Sequence, residues 1–236
     1  MNTNKITGLA LAISPVAAII IWLIGGLALL GGVGPDNPQK YIAEMGENST
    51  AIKYLFPLAT LLFLIAIGAL GYIKKSMGGG PGSYIAGFAW FLIILGTAGQ
   101  LGETAFTLAL AEASNNAAVA GAAVAVATAG GDPVAAAIAV ATASTYSAVA
   151  SSMFAGAQAI GAVATAFSML GFVLFGLAIW QQKNFSPIVA CLMAVSGIFT
   201  LVMCLIDYES QLIAIGYIGV VVSFVWLGVT LLTKKD

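Results

Sequence analysis

The chain has 236 residues, of which 61% are hydrophobic and only 7% are charged. Soluble domains average about 25% charged residues, so this composition excludes an ordinary soluble protein and indicates helices in a membrane. The formal net charge is −1, all eight basic residues are lysines and there is no histidine. We therefore expect no nucleic-acid partner and no cofactor or metal centre of the kind that histidine ligates.

Three apolar spans are predicted in the first half of the chain, because each run reaches the roughly 20 residues that cross a bilayer as a helix. Between the first two, Pro38 following Asn37 predicts a short interfacial helix that continues to Met45. The predicted spans are Ile6 to Leu30, about Tyr54 to Ile73, and about Tyr84 to Leu101.

An alanine-rich stretch, residues 104–159, follows the third span. We expect helix through Ala113, a weakening at Asn115–Asn116, and a second helix that begins at Pro133 with Asp132 as its cap. As helices, the two arms would each be about 40 Å long. They either project from the bilayer as a hairpin or fold back into it as extra or re-entrant spans. The serine and threonine hydroxyls between residues 142 and 152 favour projection.

The last part of the chain predicts three more spans joined by short polar turns. They cover about Ile160 to Trp180, Pro187 to Ile206, and Leu212 to Leu232. Cys191 and Cys204 share one of these spans and would lie about 20 Å apart along it, too far apart to form a disulfide with each other. The fold class is therefore predicted to be all-α: one polytopic membrane domain, residues 1–236, with six transmembrane helices and a long external hairpin.

Lysine placement predicts the orientation of this bundle. With six spans, six of the eight lysines fall on one side of the membrane, and that side is expected to be cytoplasmic by the positive-inside rule. Both termini would then be cytoplasmic and residues 104–159 extracytoplasmic, in a multi-pass protein of the cell membrane. The six are Lys5, Lys74, Lys75, Lys183, Lys234 and Lys235.

Ionisable residues near predicted spans are the main candidates for chemistry. Gln100 and Glu103 lie three residues apart, which places both on one face of a helix as a possible polar or ion-binding site. Alternatively, Glu103 marks the water boundary and is simply solvated. Four residues of the hairpin are possible partner contacts: Asn115, Asn116, Asp132 and Tyr146.

No arrangement of residues predicts catalysis, so we do not expect an enzyme. The leading hypothesis is a non-catalytic accessory subunit in the bilayer, which contacts other membrane subunits or another copy of itself through small-residue helix faces and the hairpin. The alternative is a small transporter or channel whose polar path would be formed by Gln100, Glu103, Thr97 and Thr104. A third hypothesis is a membrane enzyme or lipid-handling protein.

Overall fold

A computed structural model describes residues 3–234 of the chain. Six of its helical segments are long and apolar enough to cross a membrane, so the architecture is the all-α membrane bundle that the sequence predicts. The helices in chain order are α1 (Thr3–Leu23), which continues into a π-helical segment (Ile24–Leu29), α2 (Pro38–Glu47), α3 (Ser49–Ser76), α4 (Ser83–Ala129), α5 (Pro133–Gln182), α6 (Pro187–Ile206) and α7 (Ile213–Thr233).

Three of the helices begin at a capping side chain that is followed by proline. Asn37 accepts a hydrogen bond from the amide of Lys40 at 3.4 Å, and Asp132 accepts two from the first turn of α5 at 3.1 and 3.0 Å. Ser186 caps α6 in the same way at 3.3 Å. Proline fits the next position because it has no amide hydrogen that would be left unpaired. The predicted starts of α2 and α5 are confirmed.

The six spanning segments form a closed ring, in which each packs against the next along the chain and α7 returns to α1. Phe224 of α7 fills the interior, with its ring centroid 5.5 Å from that of Phe172 on α5 and 6.5 Å from that of Phe63 on α3. This aromatic layer lies near the middle of the ring and separates the side that bears the hairpin from the side that bears the termini.

The longest helices, α4 and α5, form one antiparallel hairpin. At 47 and 50 residues they are about 70 and 75 Å long, more than twice the roughly 30 Å hydrocarbon thickness. The alternative in which residues 104–159 fold back as extra spans is therefore not observed. The expected weakening at Asn115–Asn116 was wrong, because α4 continues to Ala129. Asparagine costs a helix interior at most about 0.7 kcal/mol relative to alanine, which packing against α5 and α2 offsets.

A second core supports the base of the hairpin, where α2 packs against α4. The hydroxyl of Ser114 on α4 donates to the carbonyl oxygen of Ile42 on α2 at 2.7 Å. Gly46 makes the approach possible, since a Cβ there would lie 2.9 Å from the Cβ of Ser114. Met45 of α2 is fully buried here. The core comprises Leu30, Met45, Ile52, Leu110, Ala111, Ala113, Ala150 and Phe154, with Tyr41 and Ile42 packed against it.

Small residues let α4 and α5 approach closely within the ring. A Cβ on Gly96 would lie 2.5 Å from the carbonyl oxygen of Ala164 and 2.6 Å from the amide nitrogen of Ser168, both on α5. Only glycine allows the two backbones this separation, as small residues do in other membrane helix pairs. The position of α4 against α5 is therefore fixed near Gly96.

We expect Asp132→Ala to loosen the tip of the hairpin without unfolding the bundle. Loss of an N-cap costs about 1 kcal/mol. The two amides that donate hydrogen bonds to Asp132, those of Val134 and Ala135, lie at the exposed end of α5. Hydrogen exchange at these amides should accelerate about fivefold, whereas Asp132→Asn, which can still cap, should leave it near the wild-type rate. Equal exchange in all three proteins would show that the cap contributes nothing.

Candidate functional site

Glu103 and Gln100 lie on the face of α4 that points into the ring, on the side bearing the hairpin. The phenol of Tyr208, in the turn between α6 and α7, donates to Oε1 of Glu103 at 3.2 Å. Nε2 of Gln100 donates to the phenol oxygen of Tyr217 on α7 at 3.1 Å. Glu103 is partly buried, so its surroundings are formed by protein on several sides.

The face of α5 that meets these residues carries Gln158, Gly161 and Thr165. The hydroxyls of Thr165 and Tyr217 are 2.8 Å apart and share a hydrogen bond. Gly161 leaves room for the carboxylate, since a Cβ there would lie 2.6 Å from Cδ of Glu103 and 2.5 Å from the phenol oxygen of Tyr208. We call Gln100, Glu103, Gln158, Thr165, Tyr208 and Tyr217 the polar cluster.

Both tyrosines of the cluster were missed from the sequence, which gave no reason to single them out. A tyrosine in a short turn or an apolar span is ordinarily read as interfacial packing. The sequence does carry a signal for the α5 side of the cluster, since the spacing of Gln158, Gly161 and Thr165 places an amide, a glycine and a hydroxyl on one face of that helix.

The threonines of the hypothetical transport path are bonded elsewhere. The hydroxyl of Thr97 donates to the carbonyl oxygen of Ile93 at 2.6 Å, and that of Thr104 donates to Gln100 O at 2.9 Å and lies 3.0 Å from the hydroxyl of Thr60 on α3. Such bonds to the preceding turn satisfy a hydroxyl within its own helix. These two side chains therefore do not extend the polar cluster.

Burial, reinforced by the negative charge of Glu103, raises the pKa of the Tyr208 phenol well above its usual value. Burial and the same charge raise the pKa of Tyr41 on α2 to about 12. Both phenols therefore keep their protons at neutral pH. The carboxylate is thus surrounded by neutral oxygen-bearing groups.

The four hairpin residues predicted as partner contacts do not form one site. Asn115 and Asn116 are partly buried on α4, near the second core, whereas Asp132 is exposed at the tip, where it caps α5. Tyr146 is 37% exposed on α5. They are distributed along the hairpin rather than clustered.

Comparison with protein-family models, curated proteins and solved structures gives no match to this chain. Its function has to be argued from its own surfaces and its own polar cluster. Cys191 and Cys204 lie on one helix, α6, as the sequence predicts, with Cys191 exposed and Cys204 partly buried.

Proposed function

We propose that the chain is a non-catalytic accessory subunit of a larger membrane assembly, and that its hairpin holds a second membrane subunit. The observation that carries this proposal is the surface of residues 117–149, where two long helices contact each other and most of the side chains are exposed. Val119 is 61% and Val126 is 74% exposed on α4. Extended apolar surface of this kind marks interaction sites.

The chemistry of this surface favours an apolar helical partner. Within residues 104–159 only two residues are charged: Glu112, which forms an ion pair with Lys53, and Asp132 at the tip. The surface therefore offers no charge pattern for a soluble acidic or basic ligand. Small and branched apolar side chains instead suit the close approach of another helix.

The exposed surface also continues into the membrane. One series of residues spaced seven apart along α4, from its spanning part to the tip, is exposed throughout. A seven-residue repeat keeps such side chains on one side of a helix pair. These residues are Ala98, Ala105, Glu112, Val119 and Val126. Ala98 also lines an apolar groove between α4 and α5, together with Leu95, Gly99, Ala159, Ile160 and Phe167. A partner whose helix extends beyond the bilayer would fit both parts.

The lysine distribution supports an orientation in the cell membrane with cytoplasmic termini and an extracytoplasmic hairpin. Lys235, one of the six lysines in that argument, lies outside the described residues. The other five lysines still place most of the positive charge on the side opposite the hairpin. The partner surface would then face the outside of the cell or a periplasm-like space.

The test is to purify the tagged chain from its native membranes in mild detergent. We expect wild type to elute with a second membrane subunit at fixed stoichiometry, and the double variant Val119→Asp, Val126→Asp to lose it. Ala118→Asp with Ala125→Asp is the matched control, because these residues are also exposed and have the same spacing on another face of α4. Elution of wild type as a lone monomer, or as a complex containing only copies of itself, would overturn the proposal, as would an unchanged complex in the valine variant.

A second candidate function, transport of a small solute or ion, is favoured by the polar cluster inside the ring. The aromatic layer around Phe224 lies beyond it and belongs to the hydrophobic core of the bundle. Transport would therefore require that layer to move. Flux into liposomes that depends on Glu103 would support this candidate, and its absence for any ion or solute tested would remove it.

A further inference from the structure

We propose that the polar cluster is a binding site for an alkali-metal cation, with the carboxylate of Glu103 as its charged ligand. This site does not depend on the hairpin surface or on the partner subunit. It rests on the surroundings of Glu103, on an oxygen that has no hydrogen-bond donor, and on the charge of the cluster.

The first observation is that the charge of Glu103 is not balanced by the chain. Within residues 3–234 the ion pair found is the one between Lys53 and Glu112, so no lysine pairs with Glu103. The Glu103 carboxylate accepts one hydrogen bond there, from the neutral hydroxyl of Tyr208. A partly buried carboxylate without a counter-charge is unfavourable in surroundings of low dielectric constant. A bound cation would remove this deficit.

The second observation is the amide oxygen of Gln158. Oε1 of Gln158 is buried and has no hydrogen-bond donor. Gln158 lies one turn from Gly161, and Gly161 is the position on α5 that the Glu103 carboxylate approaches. Buried acceptors are normally paired. Gln158 thus offers an amide oxygen without a donor one turn along α5 from the position that the carboxylate approaches, and a cation could satisfy both groups.

The ligand chemistry selects the class of cation. Carboxylate, amide and hydroxyl oxygens suit hard cations, and divalent ions such as Ca²⁺ usually take several carboxylates. Glu103 is the one acidic residue of the polar cluster, and no group of three His, Cys, Asp or Glu residues suited to a metal occurs in the described part of the chain. One negative charge matches one monovalent cation. Gly161 lets the carboxylate and the Tyr208 hydroxyl lie against the backbone of α5, where the Cβ of any other residue would collide with both.

Other titratable groups near the carboxylate do not change the single negative charge of the cluster. Tyr208 and Tyr217 belong to the cluster, and Tyr41 of α2 and Cys204 of α6 lie close enough to interact with the charge of Glu103. All four are neutral when protonated. A proton on Glu103 is the competing way to neutralise the site, and the experiment has to separate it from a metal cation.

The test follows thermal unfolding in detergent while NaCl or KCl replaces N-methyl-D-glucamine chloride at constant ionic strength. For wild type we expect a saturable rise of about 3 °C or more with one of the two metal cations. Glu103→Gln should remove this rise. Glu112→Gln, which alters an exposed carboxylate on the same helix, should retain it. A melting temperature that depends on pH but not on the metal cation, or a rise that persists in Glu103→Gln, would overturn the proposal.

Direct binding gives a second readout that does not depend on stability. Purified wild type should retain ²²Na⁺, and unlabelled NaCl or KCl should displace it. Tyr208→Phe keeps the aromatic ring and loses the hydroxyl, so this variant should bind ²²Na⁺ about tenfold more weakly. This variant decides the matter if Glu103→Gln does not fold. Binding by Tyr208→Phe equal to that of wild type, or no retained ²²Na⁺ in wild type, would contradict the site.

Discussion

Phe224→Ala is expected to lower the free energy of unfolding by about 2–4 kcal/mol. The ring is fully buried at the centre of the bundle and contacts the rings of Phe172 and Phe63. Lipid tails are as apolar as the ring, so the loss comes from the cavity and the missing dispersion contacts rather than from transfer to water.

The measurement for Phe224 is the midpoint of thermal unfolding in mild detergent. A fall of about 2–4 °C per kcal/mol is expected for a chain of this size. Phe91→Ala is the control, because the Phe91 side chain is 59% exposed on the outer surface of the helix bundle. If both variants unfolded at the same temperature, the central layer would not be the core of the bundle.

Gly96→Ala is expected to destabilise the protein by about 1–3 kcal/mol, although alanine is the better helix former. The added methyl group would collide with the backbone of α5 at Ala164 and Ser168, which cannot rotate away as a flexible side chain would. The two helices would have to separate along their contact. The effect should appear as a lower unfolding midpoint and as faster hydrogen exchange in both helices near the crossing.

The control for Gly96 is on the same helix. A Cβ added to Gly87 meets nothing within 4 Å, so Gly87→Ala should be neutral or slightly stabilising. The difference between the two variants isolates the helix contact from helix propensity. Stabilisation by alanine at both positions would mean that α4 and α5 lie farther apart at Gly96 than the structure shows.

Much of the fold follows from local sequence. Apolar runs of membrane length define the six spans, and the pairs Asn37–Pro38 and Asp132–Pro133 define where α2 and α5 begin. Local preference was misleading at Asn115–Asn116, because the surrounding packing, rather than the residues themselves, keeps α4 helical there.

The candidate site was only half visible in the sequence. Gln100 and Glu103 can be selected together because their spacing places them on one face of α4. Tyr208 and Tyr217 could not be selected, since their bonds to α4 join residues 105 and 117 positions apart. Which distant groups meet depends on how the ring closes, and helix periodicity does not contain that information.

The unbroken course of α4 links the hairpin tip to the polar cluster. Gly96 marks a tight contact with α5, and Glu103 lies about 10 Å beyond it along the helix, whereas Ala129 lies about 50 Å beyond it. If α4 tilts as a stiff lever with its fulcrum near Gly96, a sideways push of about 5 Å at the tip shifts the carboxylate by about 1 Å. A subunit bound at the proposed hairpin surface would in this way change the spacing of the oxygens in the polar cluster without touching them.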